Sequence, residues 1–323
     1  MTTTVSALAA GSMIANTVRA WFAPVDRIGG LPVPFDPASM GRFDLGKPLA
    51  GWWSAGAVMG LKRTAASTVT PVWSGAPGTV KTQVLSAAGE DVEFTLPGWT
   101  RIGMSLSAGT EVLNLFLPAG SGNATPSGGT AALVESLLPG STATVLQLQA
   151  GTKVQAGDLL VVDVDYTGQI GFLSSGGAGT FVKSAPATID LHAVRRASFN
   201  VARVLSIDGA AATLASPLPA GAPTTAMRLS RIGGFTDRVG GAFLPEWSAL
   251  FVLDGVQGDR VLLHYPRLQP TGAAAREVHE TLAPGVERWR PTATLRALPV
   301  IDANGNTQAV CFRTYLPAPM RRV

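Results

Sequence analysis

The sequence predicts a mainly β protein: a sandwich or barrel of many short strands, with one short flanking helix and an inserted small β-barrel domain. Three observations carry that expectation. Gly (37) and Pro (23) together make up nearly a fifth of the 323 residues, against roughly 12% in average proteins. They are scattered, as at Gly29-Gly30, Pro32 to Pro37 and Gly128-Gly129, which is the punctuation of short strands joined by turns. Several runs between them alternate apolar and polar side chains with period two, and one stretch shifts to helical spacing.

Residues 1–56 read as an extended N-terminal arm. From Arg19 to Trp53 the chain is rich in proline, which argues against regular helix and against central strands. Yet Trp21, Phe22, Phe35, Phe43, Trp52 and Trp53 can each bury roughly 150–250 Å². Such a segment is expected to lie across a surface, either its own or a neighbour's. These six aromatics are the candidate contacts with a neighbouring copy of the chain.

Residues 57–149 and 233–323 are expected to form the main β domain. Strands are read at Thr68 to Ser74, Val80 to Leu85 and Asp91 to Leu96, with a turn at Gly75-Ala-Pro-Gly. In the last of these, Val92, Phe94 and Leu96 alternate with Asp91, Glu93 and Thr95, giving one dry and one wet face. After Pro97-Gly98, the spacing of Trp99, Ile102 and Leu106, with Met104 beside them, is that of a short amphipathic helix stopped at Gly109. Residues 119–130 read as a polar loop.

Residues 150–232 read as the inserted domain, of SH3 or OB type. Its strands are short and its turns tight: Val154 to Tyr166, then Phe199 to Ile207, Asp208-Gly209, and Ala212 to Leu218, with a tip at Gly176. The last third returns to longer strands at Ala249 to Asp254, Arg260 to Leu268, Thr292 to Ile301 and Ala309 to Leu316. Asn304-Gly305 signals a hairpin. Arg276 to Glu280 reads as a polar loop.

Titratable groups are sparse, and no motif gathers them into an active site. Charged residues are 14% of the chain, below the usual share of about 25%. The net charge of +4 is spread without a run of five basic residues, which argues against sequence-specific nucleic-acid binding. His192, His264 and His279 have no zinc-site spacing; His264 reads as a core or edge histidine and His279 as solvent-exposed. Asp163 and Asp165 share one strand face, the arrangement of a wet face more than of a catalytic pair. The single Cys311 sits in an apolar run and reads as an inert thiol. No Walker, dinucleotide or nucleophile-elbow motif is present. No enzymatic activity, cofactor or metal is expected. Residues 1–14 do not read as a secretory signal, and no run is apolar enough for a transmembrane helix, so cytoplasmic synthesis without membrane insertion is expected.

Three parts together resemble the major tail tube proteins of long-tailed, siphovirus-like bacteriophages. They are the arm with Phe35-Asp36-Pro37 and Phe43-Asp44-Leu45-Gly46, the strand–turn–helix unit from Val92 to Gly109, and the segments Leu262 to Leu268 and Ala293 to Ile301. The resemblance spans residues 17–117 and 245–316. It implies a tail-tube-type β-sandwich or barrel with one flanking helix, assembled as stacked homo-oligomeric rings, usually hexameric. The tube so formed is the conduit for DNA during ejection. The implied partners are other copies of the chain, tape measure and terminator proteins, and phage DNA in transit without sequence specificity. The implied location is the virion tail, assembled in the cytoplasm of the bacterial host. One departure is charge: tube lumens of this family tend to be negative, whereas this chain is net basic. Two other readings carry weight: another tail ring component, such as a terminator or baseplate part, and a carbohydrate-binding β-protein using Trp52, Trp53, Trp73 or Trp247 as platforms.

Overall fold

A computed structural model of the chain describes residues 15–25, 32–47, 49, 51–108, 112–116, 135–163, 200–218, 221–237, 244–271, 276–302, 305 and 307–319. The expected loop at 119–130, the tip at Gly176, His192 and Asp165 lie outside the described residues.

The fold is mainly β, as expected, and its centre is a closed barrel of six strands. These are β1 (Ala15–Pro24), β2 (Trp53–Ala65), β5 (Glu90–Thr95), β13 (Trp247–Gly255), β14 (Arg260–Pro270) and β16 (Val286–Ala297). They pair antiparallel in the circuit β16-β5-β2-β1-β13-β14, and β14 closes the ring on β16 through the pairs Leu268–Ala297 and Pro270–Leu295. Closure removes the edges that an open sheet would leave. Two further strands, β15 (Arg276–Ala283) and β19 (Phe312–Leu316), extend the sheet beyond β16 and β14.

The interior follows the period-two pattern. Phe22, Val92, Phe94, Leu96, Trp247, Phe251, Leu263, Tyr265 and Leu295 form one core cluster. Phe22 stacks on Phe94 at 5.9 Å and meets Phe251 edge-on at 6.0 Å. Strand β2 passes from partner β1 to partner β5 partway along its length, and two register shifts fall there. Gly56 (φ 84°) and Gly60 (φ 61°) supply the backbone at those bends, where a residue with Cβ would be strained.

The expected helix forms as α2 (Arg101–Ala108), with the Thr100 hydroxyl accepting from the Gly103 N–H at 3.0 Å as its N-cap. Leu106 enters the barrel core and Ile102 packs beside it, while Trp99 lies before the helix and stays exposed.

The arm expectation needs correction. Residues 15–24 form a central strand, β1, between β2 and β13. Proline enters only at Pro24, the last residue of that strand, so the dense-proline argument does not reach it. The remaining segment (residues 32–47, 49, 51 and 52, with the four-residue helix α1, Pro37–Met40) is a strap across the outer wall of the barrel. Long connections of this kind carry functions more often than short ones.

The inserted domain is a second, smaller closed barrel, and it begins earlier in the chain than residue 150. Its strands are β7 (Glu135–Ser136), β8 (Val145–Gln147), β9 (Leu159–Asp163), β10 (Val201–Asp208), β11 (Ala211–Leu214) and β12 (Arg228–Asp237). The path β12-β9-β10-β11-β8 closes through β7, which pairs with β12, and through the single bridge Leu137–Leu148 just beyond β7 and β8. Its core holds Leu137, Leu146, Leu148, Leu160, Val162, Val204 and Leu214. Strand β6 (Val112–Phe116) pairs with the far half of β12. The Arg101 guanidinium of α2 lies over the Phe235 ring at 5.6 Å where the two units meet.

Three smaller strand readings complete the fold. The strands β3 (Thr68–Ser74) and β4 (Thr79–Ala87) pair as a hairpin. The Asn304-Gly305 signal corresponds to the short pair β17 (Val300–Asp302) and β18 (Thr307–Ala309). Arg276 to Glu280, read as a loop, is instead strand β15: it turns at Pro284-Gly285 and pairs with β16. Its apolar and polar residues follow no single face because neither face meets the core.

Candidate functional site

All six candidate contact aromatics pack within the chain itself. Phe22 lies inside the barrel, Trp21 lies beneath the strap, and Trp52, at the strap's end, packs onto the barrel wall; all three are 2% exposed or less, so none is available to a neighbour. This corrects their reading as inter-subunit contacts. Trp21 meets Phe43 edge-on at 5.1 Å, and Phe35 meets Trp52 at 6.1 Å. Trp53 packs against both layers. The density of aromatics in irregular sequence thus marks a strap fixed to its own barrel. Trp52 and Trp247 are buried and cannot act as sugar platforms.

Two arginines hold the strap. Arg260 donates from Nη1 to the carbonyls of Gly41 and Phe43, each at 3.0 Å, and pairs with Asp254 through Nε at 2.6 Å. Arg42 reaches back to the Gly258 carbonyl at 3.1 Å and to the Pro317 carbonyl. A recess of about 330 Å³ at the strap's edge is lined by Thr17, Arg19, Leu45, Val252 and Asp254. Arg19 donates to the Leu45 carbonyl there.

Among the described residues, no group of three or more His, Cys, Asp or Glu side chains is placed to hold a metal ion. His264 is half-buried, and desolvation lowers its pKa to about 4. His279, expected in a solvated loop, sits on β15 with its ring stacked on Trp289 at 5.1 Å. Asp163 ends β9.

Titratable side chains do meet at one place that sequence spacing does not reveal. Arg63, Glu90 and Tyr265 form a closed triangle: Arg63 Nε to Glu90 Oε1 at 2.5 Å, Arg63 Nε to Tyr265 Oη at 2.7 Å, and Tyr265 Oη to Glu90 Oε1 at 2.9 Å. Burial, with the charge of neighbouring Cys311 next, pushes the Tyr265 hydroxyl above the phenol range, and burial raises the Cys311 thiol as well. A protonated phenol and a protonated thiol beside a paired carboxylate form a structural tie, not a reactive set.

The surface that stands out is formed by two hairpins. The β3–β4 hairpin is inserted between Ala65 and Glu90, which face each other in the β2–β5 ladder. The β15–β16 hairpin runs on beyond the opposite end of β5, where Thr292 pairs with Thr95. The two therefore project in opposite directions along the strands. Ten of the seventeen large hydrophobics that are exposed among the described residues lie on them. The first carries Val69, Val72, Trp73, Val80, Val84 and Leu85, and the second Val278, Leu282, Val286 and Trp289. At the root of the second, Trp99 donates from Nε1 to the Trp289 carbonyl at 3.2 Å.

Their charge differs. Residues 68–87 carry one charged side chain, Lys81, whereas residues 276–290 carry three acidic and three basic ones. On the second hairpin Arg290 pairs with Glu280 at 3.8 Å. The outer edges of β3, β4 and β15 have no strand partner among the described residues. Sequence reasoning identified β3 and β4 as strands but not their exposure. The signal available was their low charge combined with apolar side chains on both faces.

Compared with known proteins, the chain matches no protein-family model and no curated sequence. No helix among the described residues is long and apolar enough to cross a membrane.

Proposed function

We propose that this chain is a non-enzymatic structural subunit that associates head to tail with copies of itself into rings. The rings would stack as the tail tube of a long-tailed bacteriophage. The observation that carries the ring-forming part is the pair of apolar hairpins, whose outer edges have no strand partner among the described residues, projecting in opposite directions from one barrel. Exposed strand edges invite pairing with another chain, and clustered exposed apolar residues mark interaction sites. Because the two hairpins are different surfaces, joining one to the other gives a heterologous contact. Such a contact propagates until it closes a ring or continues as a helix.

The tube assignment draws on the resemblance across residues 17–117 and 245–316 and on a barrel carrying one short helix. On this reading the partners are neighbouring copies, tape measure and terminator proteins, and DNA passing without sequence readout, and the location is the virion tail.

Negative-stain microscopy of the purified full-length protein tests it. Rings and long open tubes are the expected result. Single rings that never stack would replace the tube subunit with a terminator-like ring. A monomer at every concentration, by light scattering, would overturn self-assembly.

A further inference from the structure

His264 occupies an unusual position for an ionisable residue. On β14 its neighbours Leu263 and Tyr265 face the barrel core, whereas His264 points to the outer wall beneath the strap. The strap sets Phe35 against it at 5.3 Å and Trp52 at 6.0 Å. From β19, Phe312 stacks at 6.1 Å, and from β13 the Ser248 hydroxyl lies 3.5 Å from Nε2. Among the described residues, the imidazole is thus faced by three aromatic rings and one hydroxyl, with no carboxylate among them.

The charged groups on the same elements are engaged elsewhere. Asp36 caps α1 through Ala38 and Ser39, and Asp44 accepts from the Gly46 N–H. On β13 and just before it, Asp254 and Glu246 pair with Arg260 and Arg267. On β19, Arg313 is exposed. An imidazolium in this box would lose much of its hydration, and attraction to the surrounding rings offsets only part of the cost of withdrawing a charge from water.

We propose that the strap is an acid-released latch, held shut by the uncharged imidazole of His264 packed against Phe35, Trp52 and Phe312. Opening it would uncover Trp21, Leu250, Val252 and Leu262 on the barrel wall, all now buried. The sign follows from linkage. A solvated imidazole titrates near 6.5 and the one enclosed by these rings near 4. The open state therefore binds more protons between those values. As pH falls through that window the opening constant rises up to about tenfold per pH unit, and it levels off below the lower value. The latch is independent of the hairpins, which lie on other strands.

Hydrogen exchange on the full-length protein between pH 7 and pH 3.5, corrected for intrinsic rates, tests the latch. The amides to follow are Met40, Phe43, Lys47 and Trp52, which donate within the strap. In the wild type these amides are expected to lose protection as pH falls while β13 and β14 keep theirs. In His264→Phe, which keeps an aromatic ring without a proton site, the strap should stay protected. Equal loss in both proteins would assign the opening to Asp36, Asp44 or Asp254 and overturn the proposal. So would loss of strap and barrel protection together. Should His264→Phe not fold, the wild-type imidazole resonance of His264 decides. Titration that tracks strap opening supports the latch; titration without opening, or no titration above pH 3.5, overturns it.

Discussion

Arg63 reaches diagonally across the root of the β3–β4 hairpin to Glu90, joined to it by two hydrogen bonds of 2.5 and 2.9 Å. Arg63 is the third-last residue of β2 and Glu90 the first of β5, so the pair clamps the two strands where the hairpin leaves the barrel. Tyr265, from the far side of the core, bonds both. The projection of the hairpin is thereby tied to the barrel interior.

Removing one partner of this clamp leaves the other charge half-buried and unmatched. Glu90→Ala is expected to destabilise the fold by about 2–3 kcal/mol, and Tyr265→Phe, which removes only a hydroxyl, by about 1 kcal/mol. Urea unfolding at neutral pH measures both. Equal losses in the two variants would show that the ion pair adds nothing beyond the phenol.

Phe22 and Trp73 are both large aromatics, yet one is fully buried and the other 63% exposed. Phe22→Ala should cost about 3–5 kcal/mol, as expected for a core cavity. Trp73→Ala should change the stability of the isolated chain by less than about 0.5 kcal/mol and weaken assembly instead. Chemical denaturation paired with light scattering separates the two effects.

Val72 and Val84 lie on one face of the first hairpin, since Val72 pairs with Thr82 and Thr70 with Val84. The double variant Val72→Lys with Val84→Lys should abolish rings and tubes while leaving the circular dichroism spectrum and unfolding midpoint of the chain unchanged. Normal tubes from this variant would exclude that face from the contact.

Asp91 and Arg296 pair bidentately across β5 and β16, both bonds at 2.8 Å. The hydrogen bonds from Arg296 hold the Asp91 carboxyl below the usual carboxylate range. A depressed carboxylate contributes stability that is present above its unfolded value near 3.8 and is lost as pH falls through the folded value. Asp91→Asn should therefore lose less stability than the wild type between about pH 4 and pH 2. Parallel unfolding curves across that range provide the measurement.

Much of the local structure was legible in the sequence. The alternation of Val92, Phe94 and Leu96 located β5 and its inward face. The spacing of Ile102 and Leu106 located α2, although Trp99, read with them, lies before it, and Asp208-Gly209 marked a turn between strands. Those signals are local, set by side-chain period and turn chemistry. The density of aromatics before Trp53 showed that the segment must be covered, which the strap's packing bears out. Period-two alternation failed for β15 because neither of its faces is buried.

What the sequence determined by itself was the mainly β class, the single amphipathic helix, a small second barrel in the middle of the chain, and the scarcity of groups for chemistry. These follow from composition and short-range pattern. Only the tertiary structure decided that Trp21 and Phe22 belong to a central strand, that Arg63, Glu90 and Tyr265 meet, and that the two apolar hairpins leave opposite ends of one barrel. Those facts depend on which strands lie side by side and in what register. Strand register is fixed by closing the ring between β14 and β16, nearly thirty residues apart in sequence, and not by any property of either strand alone.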